Sequence, residues 1–322
     1  MSGTAYTKDD RKFVLENIGE EGHLWKEMDM QKLDALKSGQ NENRVDYIMP
    51  SFTNENRAFD LDSKENTEDN DTMAYISVKV YYTREFASQT NNINEFVDKM
   101  LALTNQGFLN SKVPITMVKN CVEAADVNDI FEMRKQIAEF RTLKKSLEDL
   151  RDTADTATLL TLKSNLCGLA RMFAYDGNAI SVVSKPCVEI YSYGHELGHH
   201  LGASHNIEVG HKNRVYSFGY GARIDNPSKG KEGYHTIMSY SAKGYRKDVN
   251  YYANPKVILP ETGTPTGDEK LTNTAAVFLR NRFRMAEVGD ESRKCDSGAV
   301  GNPWKNASPK ELVEAIDNKF NY

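Results

Sequence analysis

The sequence predicts an α/β fold, and three consecutive runs carry the prediction: a strand-like alternation at residues 74–82, a helical stripe at 91–109 and a second strand-like run at 113–118. In Ala74-Tyr-Ile-Ser-Val-Lys-Val-Tyr-Tyr82, apolar and polar residues alternate and most side chains are β-branched or aromatic, which suits a pleated, half-buried surface. From Asn91 to Leu109, the residues Ile93, Phe96, Val97, Met100, Leu101 and Thr104 recur at helical spacing and share one face. Val113-Pro-Ile-Thr-Met-Val118 returns to the strand pattern, so this stretch reads strand, helix, strand.

The flanking elements follow in order. Residues 1–72 are polar and uneven, with candidate helices over Lys8–Ile18 and near Trp25–Leu36 and an acidic stretch from Asp60 to Asp71. They read as a leader or small subdomain followed by a linker. The main domain is expected at 73–290. Within it, residues 127–150 read as helix, with Ile130, Phe131, Ile137, Phe140, Leu143, Leu147 and Leu150 on an approximate stripe, and Thr156–Leu162 reads as a strand. Short strands are expected at Gly168–Phe173 and Ala179–Val183, either side of the turn-forming Asp176-Gly-Asn178. Core packing accounts for nearly all of these residues. A polar tail, 291–322, contains a candidate helix at Glu311–Phe320.

Bulk properties exclude several classes. With 322 residues and 39% hydrophobic content the chain can bury a sizeable core. A formal net charge of −5 gives no basic footprint, so nucleic acid is not suggested as a partner. A mean hydropathy of −0.62 and the lack of any long apolar run argue against a membrane span. The first stretch of sequence has no apolar core or small-residue cleavage site of a signal peptide, so either a signal has been removed or the protein leaves its cell by another route. Cys121, Cys167, Cys187 and Cys295 lack the paired spacing of a structural zinc site, leaving disulfides or free thiols; their even number favours an oxidising destination.

The chemistry concentrates in Tyr191-Ser-Tyr-Gly-His195-Glu196-Leu-Gly-His199-His200-Leu-Gly202-Ala-Ser-His205-Asn206, which contains H-E-x-x-H-x-x-G-x-x-H in full. A chance match in a chain this long is on the order of one in a hundred thousand. On a helix, His195 and His199 lie one turn apart on one face, where two imidazoles converge on one ion. Gly202 can adopt positive φ and end the helix, so that His205 returns to the same ion as a third ligand. Three nitrogen ligands leave one position for a water that the metal activates, and Glu196 is placed to take its proton as general base. His200 lies off the metal-facing side and reads as structural. Downstream, Thr236-Ile-Met238-Ser-Tyr240 has the form of a Met-turn, with Met238 as an apolar floor under the imidazoles rather than a ligand.

These motifs resemble those of metzincin zinc metallopeptidases, and the chain is most similar to the reprolysin-like, adamalysin-type group. The similarity runs from about Tyr75 to Glu287 and includes Cys167-Gly-Leu-Ala, Ile180-Ser-Val-Val-Ser-Lys-Pro-Cys187, Tyr251-Tyr-Ala-Asn-Pro255 and Gly263-Thr-Pro-Thr-Gly267. The resemblance implies a zincin-like catalytic domain: a twisted mixed sheet with helices, a cleft across the middle and the zinc helix at its floor. It implies one catalytic Zn2+ held by His195, His199 and His205, and Tyr240 as a residue that can approach the metal and donate to an oxyanion. It further implies that Gly168, Leu169 and Ala170 form a sheet edge that adds peptide substrate as a further strand, braced by a Cys167–Cys187 disulfide. The expected function is a zinc endopeptidase acting on protein or peptide substrates, secreted or exported. The alternatives are an exported toxin or effector protease, and a silent protein-binding module of the same fold. Two departures stand out. Asn206 occupies the place of the aspartate usual after the third histidine, and no cysteine precedes Cys121, so latency through an N-terminal thiolate is excluded within this chain, leaving the acidic leader as a candidate cover for the cleft.

Overall fold

A computed structural model describes residues 3–6, 11–17, 23–30, 46–49 and 71–289, except 176, 211–213 and 229; for 3–6, 14–17, 23, 24 and 210 only the backbone is described. The leader begins with three strands, β1 (Gly3–Tyr6), β2 (Lys12–Asn17) and β3 (His23–Glu27), which pair antiparallel in the order β1-β2-β3. Where helices were expected over Lys8–Ile18 and near Trp25–Leu36, Lys12–Asn17 and Trp25–Glu27 are therefore strand, Met30 is helical, and residues 8–10 and 18 lie outside the described residues. A short isolated helix is costly to nucleate, whereas neighbouring antiparallel strands satisfy one another's backbone groups. Residues 31–36, most of the acidic stretch and the candidate helix at Glu311–Phe320 lie outside the described residues.

The main sheet has six strands. β4 (Tyr47–Ile48) is followed by β5 (Ala74–Tyr82), helices α1 (Arg84–Ser88) and α2 (Ile93–Asn110), and β6 (Ile115–Ala124). Then come α3 (Met133–Arg141), α4 (Leu147–Arg151), β7 (Thr156–Thr161), β8 (Gly168–Arg171) and β9 (Ile180–Ser184). The order is β4-β8-β9-β7-β5-β6. Strands β6, β5, β7 and β9 run parallel, β8 is antiparallel to β9, and β4 runs parallel to β8, which makes the sheet mixed. All of β7 and β9 is buried, as parallel strands covered on both faces must be.

Helix α2 starts where the Asn92 side chain accepts the Glu95 N–H, and it buries Val97, Met100, Leu101, Thr104 and Phe108 against the sheet. The single helix expected over 127–150 is two. Ser146 caps α4 by accepting the Asp149 N–H, which restarts the helix after the break at 142–146, and Phe131 lies outside both helices at 68% exposure. Helices α5 (Ser192–His200) and α6 (Ile207–Gly210) belong to the metal centre, and the last element among the described residues, α7 (Thr274–Ala286), packs on β5.

Asp155 ties this architecture together at the start of β7. Its carboxylate accepts the Ser77 N–H at 2.7 Å and hydroxyl at 2.8 Å, and the Gly289 N–H just beyond α7 at 2.8 Å. Burial pushes its carboxyl up to about 6, against the opposing effect of those hydrogen bonds. Because the folded value lies above the ordinary 3.8, the folded state keeps a proton that the unfolded chain has already lost between these two values. The stability contributed by this group is full below the unfolded value and is lost as pH rises toward the folded one, by about 3 kcal/mol. Urea unfolding compared near pH 4 and pH 7 is expected to show this fall, and Asp155→Asn to flatten it; an equal slope in the variant would place the titration elsewhere.

Candidate metal centre and substrate cleft

The chain enters the site through a 3-10 turn, Lys185–Ile190, and then α5 (Ser192–His200), which begins after Tyr191 in the left-handed region at φ 65°. A disulfide joins Cys167, at the head of β8, to Cys187 in that turn, fixing the strand to the helix entrance. Cys121 is also disulfide-bonded, and Cys295 lies outside the described residues. At the far end Gly202 has φ +98°, and a Cβ there would meet the Phe173 ring at 2.9 Å, so the helix stops and the chain turns back. A short turn of helix, α6 (Ile207–Gly210), follows His205.

This turn brings the three ring nitrogens together. The Nε2 atoms of His195, His199 and His205 are 3.0 to 3.2 Å apart, and all three rings are buried. The orientation is set from behind: His195 Nδ1 lies 2.7 Å from the Ile237 carbonyl and His199 Nδ1 2.9 Å from the Ala203 carbonyl. A carbonyl can only accept, so each Nδ1 carries the proton and each Nε2 turns a lone pair into the shared space. Burial lowers His199 to about 3 and also lowers His205, which keeps them in the neutral form that binds a cation. Facing lone pairs at this separation repel unless a cation lies among them, so the donor set fits zinc. His200, by contrast, points its Nδ1 at the Arg171 carbonyl, 2.8 Å away.

Met238 is fully buried beneath the helix, and its Sδ would stand 2.3 Å from a Cβ at Gly198; only glycine lets the helix sit this low on the methionine. Asn206 couples the third histidine to the Met-turn. Its Oδ1 accepts the Tyr240 N–H at 3.1 Å while its Nδ2 donates to Glu208 at 2.6 Å, a pair of roles an amide performs and an ionised aspartate cannot. The Tyr240 ring lies 4.1 Å from that of His205 and 6.0 Å from that of His195. Glu196 is buried beside the cluster, and its Oε2 has no hydrogen-bond partner among the described residues. Burial, reinforced by the Asp46 carboxylate, raises its carboxyl well above the usual range.

Sequence reasoning missed one member. Asp46 places one carboxylate oxygen 2.6 Å from His205 Nε2 and 3.4 Å from His199 Nε2 and the other 3.4 Å from His195 Nε2, and these four residues form a buried group whose ligand atoms lie within 4.8 Å of one another. Burial opposes its ionisation, yet the carboxyl is held well below the usual range in this cluster, so Asp46 faces the imidazoles as a carboxylate and adds one more electron-pair donor to the space they share. The Tyr47 ring packs on His199 and His205 at 4.9 and 5.2 Å. In this structure β4 lies along the side of β8 where the substrate edge at Gly168, Leu169 and Ala170 was expected: Tyr47 sits opposite Ala170 and Ile48 opposite Arg171. The apolar Val45-Asp-Tyr-Ile-Met49 is a strand-like island in a polar leader, the one local signal that could have drawn attention to it.

A buried cluster of three histidines, two on one helix and the third after the turn that ends it, a glutamate one residue past the first histidine, a methionine floor and a mixed sheet make this a metzincin-type, zincin-like domain. The family model "Reprolysin_5: Metallo-peptidase family M12" matches residues 72–252, more than half of the chain, and the chain belongs to this family. A "Peptidyl-Asp metalloendopeptidase" of Stenotrophomonas maltophilia (strain K279a) is 28% identical over 203 residues, covering 61% of this chain and 48% of the relative. The protein of that name from strain R551-3 is 28% identical over 224 residues, covering 67% and 53%. The chain thus spans about half the length of these curated relatives. A solved structure described as "Structure of a chaperone-substrate complex" aligns at TM-score 0.53 and 18% identity over 67% of this chain and 35% of its own, a likeness of fold.

Proposed function

We propose that this chain is a zinc-dependent endopeptidase in which His195, His199 and His205 hold one Zn2+ and Glu196 is the general base. The convergence of three Nε2 atoms beside a buried carboxylate with an unpartnered oxygen carries this reading. Zinc, when bound, supplies Lewis-acid polarisation of the scissile carbonyl and lowers the pKa of water. Glu196 takes the proton from the attacking water and delivers it to the leaving amine, and its raised pKa favours that second transfer. The buried Tyr240 hydroxyl donates to the oxyanion that develops on the carbonyl oxygen. Strand β8 holds the peptide extended through backbone groups that read little of its side chains, the Cys167–Cys187 bridge keeping that strand in register with the helix.

On this reading residues 73–290 are the catalytic unit, 1–72 its leader and 291–322 a tail, and the disulfide favours a secreted or exported setting. Among the described residues no helix is long and apolar enough to cross a membrane. The relatives' name makes peptides containing aspartate the first substrates to try. Purified chain is expected to carry about one zinc. Assayed beside an Asp46→Ala form, it is expected to cleave a quenched-peptide library in a manner that a chelator abolishes and zinc restores. Zinc-loaded protein in which neither form cleaves any peptide would replace the peptidase reading with that of a protein-binding module.

A further inference from the structure

The leader is fastened to the catalytic domain at successive points that end at the metal centre. Lys12 is buried against it, donating to the Glu189 carbonyl at 2.6 Å and pairing with Asp248 at 3.2 Å, with the side chains 1% and 5% exposed. Its ammonium also lies 5.2 Å from the centre of the Tyr191 ring, directly before α5. Met28 and Met30 pack on Cys167, Cys187 and Ile190. Asp46 then reaches the imidazoles, and the chain continues along β8, whose Ala170 N–H donates to the Asp46 carbonyl at 3.1 Å; just past the strand, the Met172 N–H donates to the Ile48 carbonyl at 2.9 Å.

We propose that Asp46 is a fourth, internal ligand of the zinc and that residues 46–49 occupy the peptide-binding strand position, so that the chain holds its own active site closed. The proposal rests on the zinc-peptidase reading above. Residues 46–49 block the site without being cut, and the geometry gives the reason. The Asp46 backbone carbonyl is turned into the ladder with Ala170, while the side-chain carboxylate meets the three histidines. A carboxylate there is a ligand with no scissile bond, and it fills the position that a water or a substrate carbonyl needs. The Ala170 and Met172 N–H groups that a substrate strand would use are already taken. Being part of the same chain, the blocker acts at a high effective concentration and needs little affinity of its own.

The test uses the full chain loaded with Co2+ in place of zinc, comparing wild type with Asp46→Ala and the isosteric Asp46→Asn. The readouts are the visible cobalt spectrum, its titration with acetohydroxamic acid and cleavage of the peptide library. Because a blocked fraction raises the apparent dissociation constant in proportion, both variants are expected to bind the hydroxamate and to cleave peptide roughly tenfold better or more. Their cobalt bands are also expected to shift before any hydroxamate is added. Unchanged spectra and hydroxamate affinity in metal-loaded, folded variants would overturn the proposal. Tighter hydroxamate binding without cleavage by any form would uphold the internal ligand and remove the peptidase reading instead. Failure of every form to bind metal would remove both.

Discussion

Replacing Glu196 with alanine is expected to lower peptide cleavage by about 10²–10⁴-fold, measured in both the wild-type and the Asp46→Ala backgrounds, while the zinc content stays unchanged. The imidazoles do not depend on this side chain. His195 and His199 are oriented by the carbonyls of Ile237 and Ala203, and His205 by the turn at Gly202. What is lost is the proton acceptor beside them. A merely structural glutamate would behave differently, because its removal would cost stability. Glu196 instead has a buried oxygen without a partner and stands near a second buried carboxylate, so its presence destabilises the folded state. The alanine variant should therefore unfold at the same temperature as the wild type or a higher one. Cleavage retained within a few-fold would reject Glu196 as the base; lost zinc or a large fall in melting temperature would make its role structural.

The parts of this site that were legible in the sequence are those in which local geometry fixes the outcome. The spacing of His195, Glu196 and His199 needs only the pitch of a helix, and Gly202 needs only the rule that positive φ favours glycine; the turn indeed occurs there at φ +98°. The strand at Ala74–Tyr82 and the helix from Ile93 to Asn110 were readable for the same reason, since each carries its period over several turns or residues. Asp46 was not legible, because nothing in a polar leader specifies that it joins the end of the sheet beside β8 and meets residues about 150 positions away. The leader strands β2 and β3 were misread as helical because a short mixed run supports either period until a partner strand is present. The role of Asn206 was half legible: its place after His205 marked it, but its two hydrogen bonds depend on where Tyr240 and Glu208 arrive.

Gly168→Ala is expected to cost about 10²-fold in cleavage although the residue touches neither zinc ligand nor scissile bond, since a displacement of about 1 Å at a catalytic group is enough for such a loss. A Cβ at this position would stand 2.0 Å from Glu196 Oε1, 2.5 Å from its Cδ and 2.7 Å from its Cγ. Something must move, and the strand has little freedom to do so. Gly168 pairs with Val183 in the ladder, and its neighbour Cys167 is tied to Cys187. The glutamate is what gives way, carrying its carboxylate off the reaction line. Because the clash is between two residues, the claim can be tested apart from activity. Overpacking of this kind costs about 1–3 kcal/mol, and most of that cost should vanish when Gly168→Ala is introduced into the Glu196→Ala chain, where the obstructing atoms are gone. Equal destabilisation by Gly168→Ala in both backgrounds would mean that the glycine serves the strand rather than the base, and the loss of cleavage would then need another cause.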